Sequence, residues 1–289
     1  MPRRAWPPLL GLLYVGTVAA LGGLSRDHVL LGLLGFLDLY NEKARLFLKT
    51  YFPFILTGVL FDSMRYFYVP LVDGRVHTAE PYLIERAWFG VGGRTLNEIF
   101  QERHWAVLDV VCGLCYLFYV AEYIFLAMVL FARGRSRRAE TFALCFLVVN
   151  LMGWVTYFAY PAAPPWYVMQ YGLGPARMDI GMNAAAAHRF DLLVGTHVFE
   201  RIYGRGFTTF GAIPSLHAAY PFIAAVLAFR MPELRWARLP AVLFFLLICL
   251  SAVYLQHHYV IDIVLGVLYA AATVPLVAAW ERRRASHAG

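Results

Sequence analysis

Trp105–Phe131 is an apolar run long enough to cross a bilayer, and it has company along the chain. Crossing a hydrocarbon core takes about 20 apolar residues in a helix. Leu9–Leu24, Phe47–Phe61, Phe142–Tyr160, Pro214–Phe229, Leu239–Leu255 and Tyr259–Trp280 approach or meet that length. In lipid each spanning segment must satisfy its own backbone N–H and C=O groups, so such runs fold as helices. The chain of 289 residues is 61% hydrophobic and only 15% charged, whereas a soluble domain carries about 25% charge. This excludes a soluble domain. The pattern predicts an all-α, polytopic integral membrane helix bundle, one membrane domain over residues 1–289. It would comprise a six-helix core with one or two extra N-terminal helices. Residues 1–44 would hold the anchor helices and 45–289 the core, with loops 62–104 and 161–209 on the outer side. Val29–Leu39 is apolar but short, and fits either a tight half-span or an interfacial helix. The Arg3-Arg4 start fits a signal peptide, but the many runs that follow favour an uncleaved anchor.

The net charge of +7 is almost all arginine, since Lys43 and Lys49 are the only lysines. In a membrane protein such an excess marks cytoplasmic loops and lipid headgroups, not nucleic acid. Arg133, Arg135, Arg137 and Arg138 form the densest cluster. Arg230, Arg235 and Arg238 form a second, and Arg282–Arg284 a third. The positive-inside rule places all three in the cytoplasm. Alternating spans then put 62–104, 161–209 and Gln256–His258 on the extracytoplasmic face. The four cysteines, Cys112, Cys115, Cys145 and Cys249, all fall inside apolar runs, where thiols read as small hydrophobes rather than redox or metal groups.

Two histidines stand at the outer ends of apolar runs. His217 follows Gly211-Ala212-Ile213-Pro214-Ser215-Leu216, and His258 lies in Tyr254-Leu255-Gln256-His257-His258-Tyr259. Asp262 is four residues beyond His258, so a helix places both on one face. A carboxylate there can fix which imidazole nitrogen stays free. Pro214 suits a helix's first turn, whose N–H groups are free to hold an anion. One imidazole can act as nucleophile and a second as acid and base. The set therefore suits phosphoryl transfer without a cofactor. A facial metal triad of His217, His258 and Asp262 is the competing reading, and a non-catalytic lipid transporter gated by the histidines is a third.

Pro214-Ser215-Leu216-His217 and the Ser251…His258…Asp262 spacing resemble the second and third motifs of the type 2 phosphatidic acid phosphatase superfamily. With Ala163-Pro164-Pro165-Trp166-Tyr167 added, the chain is similar to the branch of fungal inositol phosphorylceramide synthase, the aureobasidin target. The similarity runs from about Asn150 to Gly266. It implies a six-helix phosphatidic-acid-phosphatase-like core. It implies that His258 attacks phosphorus to form a phosphohistidine, that Asp262 orients His258, and that His217 protonates the leaving alkoxide and then deprotonates the incoming hydroxyl. The superfamily's first-motif lysine and arginine are absent, and its third-motif arginine is Ala252 here, losses that the synthase branch shares. Other cations must then meet the phosphate.

The expected activity is transfer of a phosphorylated headgroup, inositol phosphate-like, from a phospholipid donor to a lipid alcohol acceptor such as ceramide, on the outer membrane face. The alternative is a lipid phosphate phosphatase that hydrolyses a monoester such as phosphatidic acid. Four further residues are candidates for phosphate or substrate binding. Ser215 either touches phosphate or caps a helix. Arg205, with Arg201, either binds phosphate or is a solvated charge. Trp166 and Tyr167, like Tyr254 and Tyr259, read first as interface-belt aromatics, with sugar stacking as the alternative. His257 reads as an interfacial spacer or a second catalyst, and Asp62 and Arg65 as a helix-end pair or as pocket lining.

Overall fold

A computed structural model describes residues 6–286. The Arg3-Arg4 start lies outside the described residues. Those described form helices and loops, with only isolated bridges of β type. The N-terminal helices are α1 (Trp6–Ala20), α2 (Arg26–Leu34) and α3 (Leu37–Tyr40), followed by the long α4 (Glu42–Ser63). An outer segment carries α5 (Tyr68–Val72), α6 (Ala79–Trp88) and α7 (Leu96–Glu102). Next come α8 (Ala106–Ala132) and α9 (Ser136–Ala159), then a second outer segment with α10 (Pro165–Tyr171), α11 (His188–Val194) and α12 (Val198–Tyr203). The chain closes with α13 (Leu216–Arg230), α14 (Arg238–Tyr254) and α15 (Val260–Ser286). Among the described residues, five helical stretches are long and apolar enough to cross a membrane: Glu42–Tyr66, Ala106–Ala132, Ser136–Ala159, Pro232–Tyr254 and Val260–Ser286. Large apolar side chains such as Val107, Phe118, Phe125 and Leu268 are left exposed on these helices, as a lipid-facing surface requires.

Three of the expected apolar stretches differ in detail. The Leu9–Leu24 run forms α1, which has 15 residues and is not among the five. The α13 helix has 15 residues, about 22 Å at 1.5 Å per residue, which is short of a full crossing. It needs no lipid-facing length because it is the centre of the bundle. Ten of its residues are buried, packed against α8, α9, α14 and α15. Pro214 does not open this helix. Ser215 is the N-cap, its Oγ accepting from the Ala218 N–H at 3.4 Å, and a cis peptide bond joins Pro214 to Ile213. The Val29–Leu39 stretch is not one continuous helix. It breaks near Gly35 into α2 and α3, and α2 folds back against α1 where Gly11 and Gly32 let the backbones touch. This hairpin is tied to the end of α4: the carboxylate of Asp62 meets His28 Nε2 at 2.8 Å and Arg65 at 2.6 Å. Asp62 and Arg65 thus form the helix-end pair.

The three arginine clusters lie at one end of the bundle. Arg135 pairs with Glu233 at 2.8 Å, Arg138 binds the same carboxylate, and Arg284 meets Glu140 at 3.2 Å. The two outer segments are knitted together at the other end. The His77 N–H donates to Pro161 O at 2.8 Å, Ala162 N–H to Phe210 O at 2.8 Å, and Trp166 N–H to Gln256 O at 3.1 Å. These bonds build a polar cap over the ends of α13 and α15, and the cap holds the histidines.

Candidate active site

The α13 and α15 helices meet at their N-termini with almost no space between them. A Cβ on Gly266 would lie 2.2 Å from the Ser215 carbonyl oxygen, so only glycine permits this approach. At the same contact the Ser215 N–H donates to Asp262 O at 2.9 Å. Two residues along, this register brings His217 Nδ1 to 3.0 Å from His258 Nε2. His258 and Asp262 are buried, Asp262 completely.

His258 Nδ1 faces two acceptors: Ala212 O at 2.9 Å and Asp262 Oδ2 at 3.4 Å. Nδ1 therefore carries the hydrogen, and Nε2 presents its lone pair on the side of His217. Asp262 Oδ2 also accepts the Tyr259 N–H at 2.8 Å, which fixes the carboxylate. Sequence reasoning missed the Ala212 carbonyl, because a backbone acceptor leaves no signature in residue type. The ring of His217 stacks on Tyr116, with centroids 4.3 Å apart and planes 13° apart, and lies 4.3 Å from the Tyr119 ring. Both tyrosines come from α8, and their rings flank the imidazole. Spacing between motifs gives no hint of them.

Several backbone anchors hold the His258 segment. Asn97 Nδ2 donates to Val253 O at 2.9 Å and to His258 O at 3.0 Å. Glu85, fully buried on α6, accepts the Val260 and Ile261 N–H groups, each at 3.1 Å. Burial pushes the Glu85 carboxyl up, and these two N–H groups oppose that shift. The first N–H groups of α15 are thus occupied and do not await an anion. At α13 the Leu216 and His217 N–H groups have no hydrogen-bond partner among the described residues. The helix end with N–H groups free to meet an anion is the one beside His217.

The remaining candidates separate. Ser215 acts as a cap. Trp166 and Tyr167 are buried rather than in an interface belt, 3% and 1% exposed, as are Tyr254 and Tyr259. Trp166 and Tyr167 pack with Ala163, Val168 and Phe210 in a small core within the outer cap, and Tyr167 Oη accepts the Arg177 N–H at 2.7 Å. The proline-rich segment folds inward because its backbone is bonded to His77 and Gln256. Arg201 and Arg205 are exposed, and the Arg205 side chain has no ion pair or hydrogen bond among the described residues. His257 is buried between the Tyr203 and Tyr116 rings, at 4.5 and 5.2 Å. Gln256, a residue before it, takes a left-handed turn and is itself buried. Among the described residues no group of three His, Cys, Asp or Glu is arranged to hold a metal ion. Asp262 faces the Nδ1 side of His258 and His217 the Nε2 side, so the three do not converge on one point.

Two facing imidazoles, one oriented by a carboxylate at i+4, in a bundle capped by polar outer segments, define a membrane-embedded phosphotransfer enzyme. The PAP2 superfamily matches residues 82–276, and the chain belongs to that superfamily. It is 37% identical over 268 residues to a phosphoinositol dihydroceramide synthase of Bacteroides thetaiotaomicron, covering 88% of this chain and 85% of that protein. It is 30% identical over 181 residues to the inositol phosphorylceramide synthase catalytic subunit of Schizosaccharomyces pombe, covering 62% of this chain and 42% of that one. The corresponding Saccharomyces cerevisiae subunit is 31% identical over 179 residues, 43% of its length. No solved structure matches. The similarity begins well ahead of Asn150, and takes in the helices that carry Glu85, Asn97, Tyr116 and Tyr119. The activity is lipid phosphotransfer.

Proposed function

We propose that this enzyme moves inositol phosphate from a phosphatidylinositol-type donor to the hydroxyl of a ceramide-type acceptor, through a phosphohistidine at His258. The observation that carries the reading is the orientation of His258: its Nδ1–H is bound by Ala212 O and Asp262, leaving Nε2 as a nucleophile 3.0 Å from the second imidazole. The donor phosphate enters between the two rings. His258 Nε2 attacks phosphorus, the bond to the diacylglycerol oxygen breaks, and protonated His217 gives its proton to that alkoxide. His217, now neutral, takes the proton of the acceptor hydroxyl as its oxygen attacks the phosphohistidine. The P–N bond breaks and His258 is regenerated. The Leu216 and His217 N–H groups and the α13 dipole support the phosphoryl oxygens.

A phosphodiester donor carries one negative charge, whereas a monoester carries close to two at pH 7. The missing motif lysine and arginines fit the diester, and exposed Arg205 supplies an outer positive charge. Buried Trp166 and Tyr167 keep the outer cap packed and water-poor, which protects the phosphohistidine from hydrolysis. Positive-inside placement of the arginine clusters supports an extracytoplasmic site for this chemistry; an impermeant thiol reagent in intact cells should label a cysteine at Gly174 and spare one at Arg135. The decisive assay is competition between phosphatidylinositol and phosphatidic acid, in detergent with ceramide present. Phosphatidylinositol should be consumed with formation of a new inositol phospholipid. Preferential consumption of phosphatidic acid with release of free phosphate would make the protein a lipid phosphatase.

A further inference from the structure

His257 has no part in the transfer steps above, yet it is buried in the site. Its ring lies almost parallel to Tyr203, 5° between planes, and to Tyr116, 12° between planes, and Tyr116 in turn stacks on His217. One face of the reacting pair and one face of His257 therefore share the Tyr116 ring. The His257 imidazole bonds to the Ala184 backbone, and its Nε2 is buried with no hydrogen-bond partner among the described residues. An unpaired buried nitrogen is costly, and two aromatic faces hold it in place without relieving that cost. Burial, with His258 next to it, pushes this imidazole down to about 3. It is neutral at physiological pH, and with the backbone carbonyl as its other partner, Nε2 is an acceptor awaiting an O–H or N–H donor.

A cavity of about 380 Å³ lies in the outer cap, against residues that border this slot. Gln170, Asn183, His188 and Glu200 contribute polar side chains to it, and Ala184 and Gly204 form part of its wall. Ala184 is the backbone partner of His257, and Gly204 follows Tyr203, the residue stacked on the His257 ring. The cavity and the slot that holds His257 thus share the Ala184 and Tyr203–Gly204 stretches. Amides, an imidazole and a carboxylate suit a neutral, hydroxyl-rich group. They do not suit an ammonium alone, nor the two chains of a lipid acceptor, which stay in the bilayer.

We propose that His257 and the polar cavity above it form the recognition site for the polyol headgroup of the donor, with His257 Nε2 accepting a hydroxyl hydrogen from the ring carbon next to the phosphate ester. This rests on the proposed headgroup transfer and extends it to the residues that choose the headgroup. His257 acts as a specificity-determining residue. It does not exchange protons in the reaction.

The test uses the full-length enzyme in detergent, with ceramide as acceptor and two donors, phosphatidylinositol and phosphatidylethanolamine, whose headgroup lacks hydroxyls. His257→Phe keeps the stacking volume and deletes the acceptor nitrogen. It should raise KM for phosphatidylinositol about tenfold or more, the effect of one lost hydrogen bond to a buried group, with kcat changed far less. The preference for phosphatidylinositol over phosphatidylethanolamine should fall by the same factor. Gln170→Leu, at an exposed rim position, should weaken phosphatidylinositol use in the same sense without disturbing the slot, and so carries the test if His257→Phe does not fold. An unchanged donor preference in either well-folded variant overturns the inference. If the parent enzyme itself does not use phosphatidylinositol, the proposed transfer reaction fails instead.

Discussion

Glu85 lies on a short helix of the outer segment, far in sequence from both motifs, yet the geometry makes it a main support of the site. Its two carboxylate oxygens bind the Val260 and Ile261 N–H groups, and no part of the residue is exposed. Removing the carboxylate leaves two buried N–H donors unpaired, at about 1–3 kcal/mol each, so Glu85→Ala should destabilise by about 2–6 kcal/mol. For a chain of this size that is a fall in Tm of several degrees or more, at about 2–4 °C per kcal/mol. Glu85→Gln keeps one acceptor oxygen but turns an N–H2 toward the second N–H, so it should fall between Ala and the parent. Activity should drop along the same order, because the first turn of α15 sets the direction of His258 and Asp262. Thermal unfolding of purified enzyme in detergent, followed by tryptophan fluorescence, measures the series, with turnover assayed in parallel. A Glu85→Ala enzyme with parental Tm and parental turnover would refute the argument that this carboxylate caps the catalytic helix.

The other expectations are local. Gly266→Ala should lower kcat by about 10²-fold or more while leaving membrane insertion intact, since a Cβ 2.2 Å from Ser215 O forces α13 and α15 apart, and a misplacement near 1 Å costs that much; steady-state kinetics check it. Asp262→Asn should leave measurable turnover, with a loss smaller than the about 10⁴-fold met when a triad aspartate is replaced by asparagine, because Ala212 O still holds the His258 Nδ1–H. Stability should depend on pH through His257. Its folded-state value is lowered to about 3 from 6.5, so it stays neutral in the fold while the unfolded chain takes up a proton as pH falls through 6.5. The stabilisation is whole above pH 6.5 and drains away between about 6.5 and 3, at up to about 1.4 kcal/mol per pH unit. Tm measured from pH 7.5 down to 4.5 should fall less steeply in His257→Phe than in the parent, and equal slopes would contradict this.

The sequence made the membrane class, the arginine ends and the facing histidines readable for a physical reason. Lipid demands long apolar runs, charge obeys sidedness, and an i,i+4 His–Asp pair declares its helix face. The rest depended on contacts that residue type does not encode. Tyr116 and Tyr119 look like any aromatics on an apolar helix, and only the packing of α8 against α13 brings them over His217. Asn97 and Glu85 sit in an outer loop whose path is set by bonds to remote backbone groups. Trp166 and Tyr167 read as belt aromatics because their composition matches a belt, while the fold turns them into the outer core. The apolar run from Pro214 reads as a full span, yet α13 begins only at Leu216 and is buried by its neighbours.

The central claim is that the headgroup rides on His258 Nε2. The direct measurement is to incubate the enzyme with phosphatidylinositol labelled in both the inositol and the phosphate, omit the acceptor, quench in base to preserve the acid-labile P–N bond, and map the labelled peptide. Both labels should appear together, in equal amounts, on the peptide that contains His258, and disappear in His258→Ala or when ceramide is added before the quench. Label on His217, phosphate without inositol, or full headgroup transfer by His258→Ala would contradict the account.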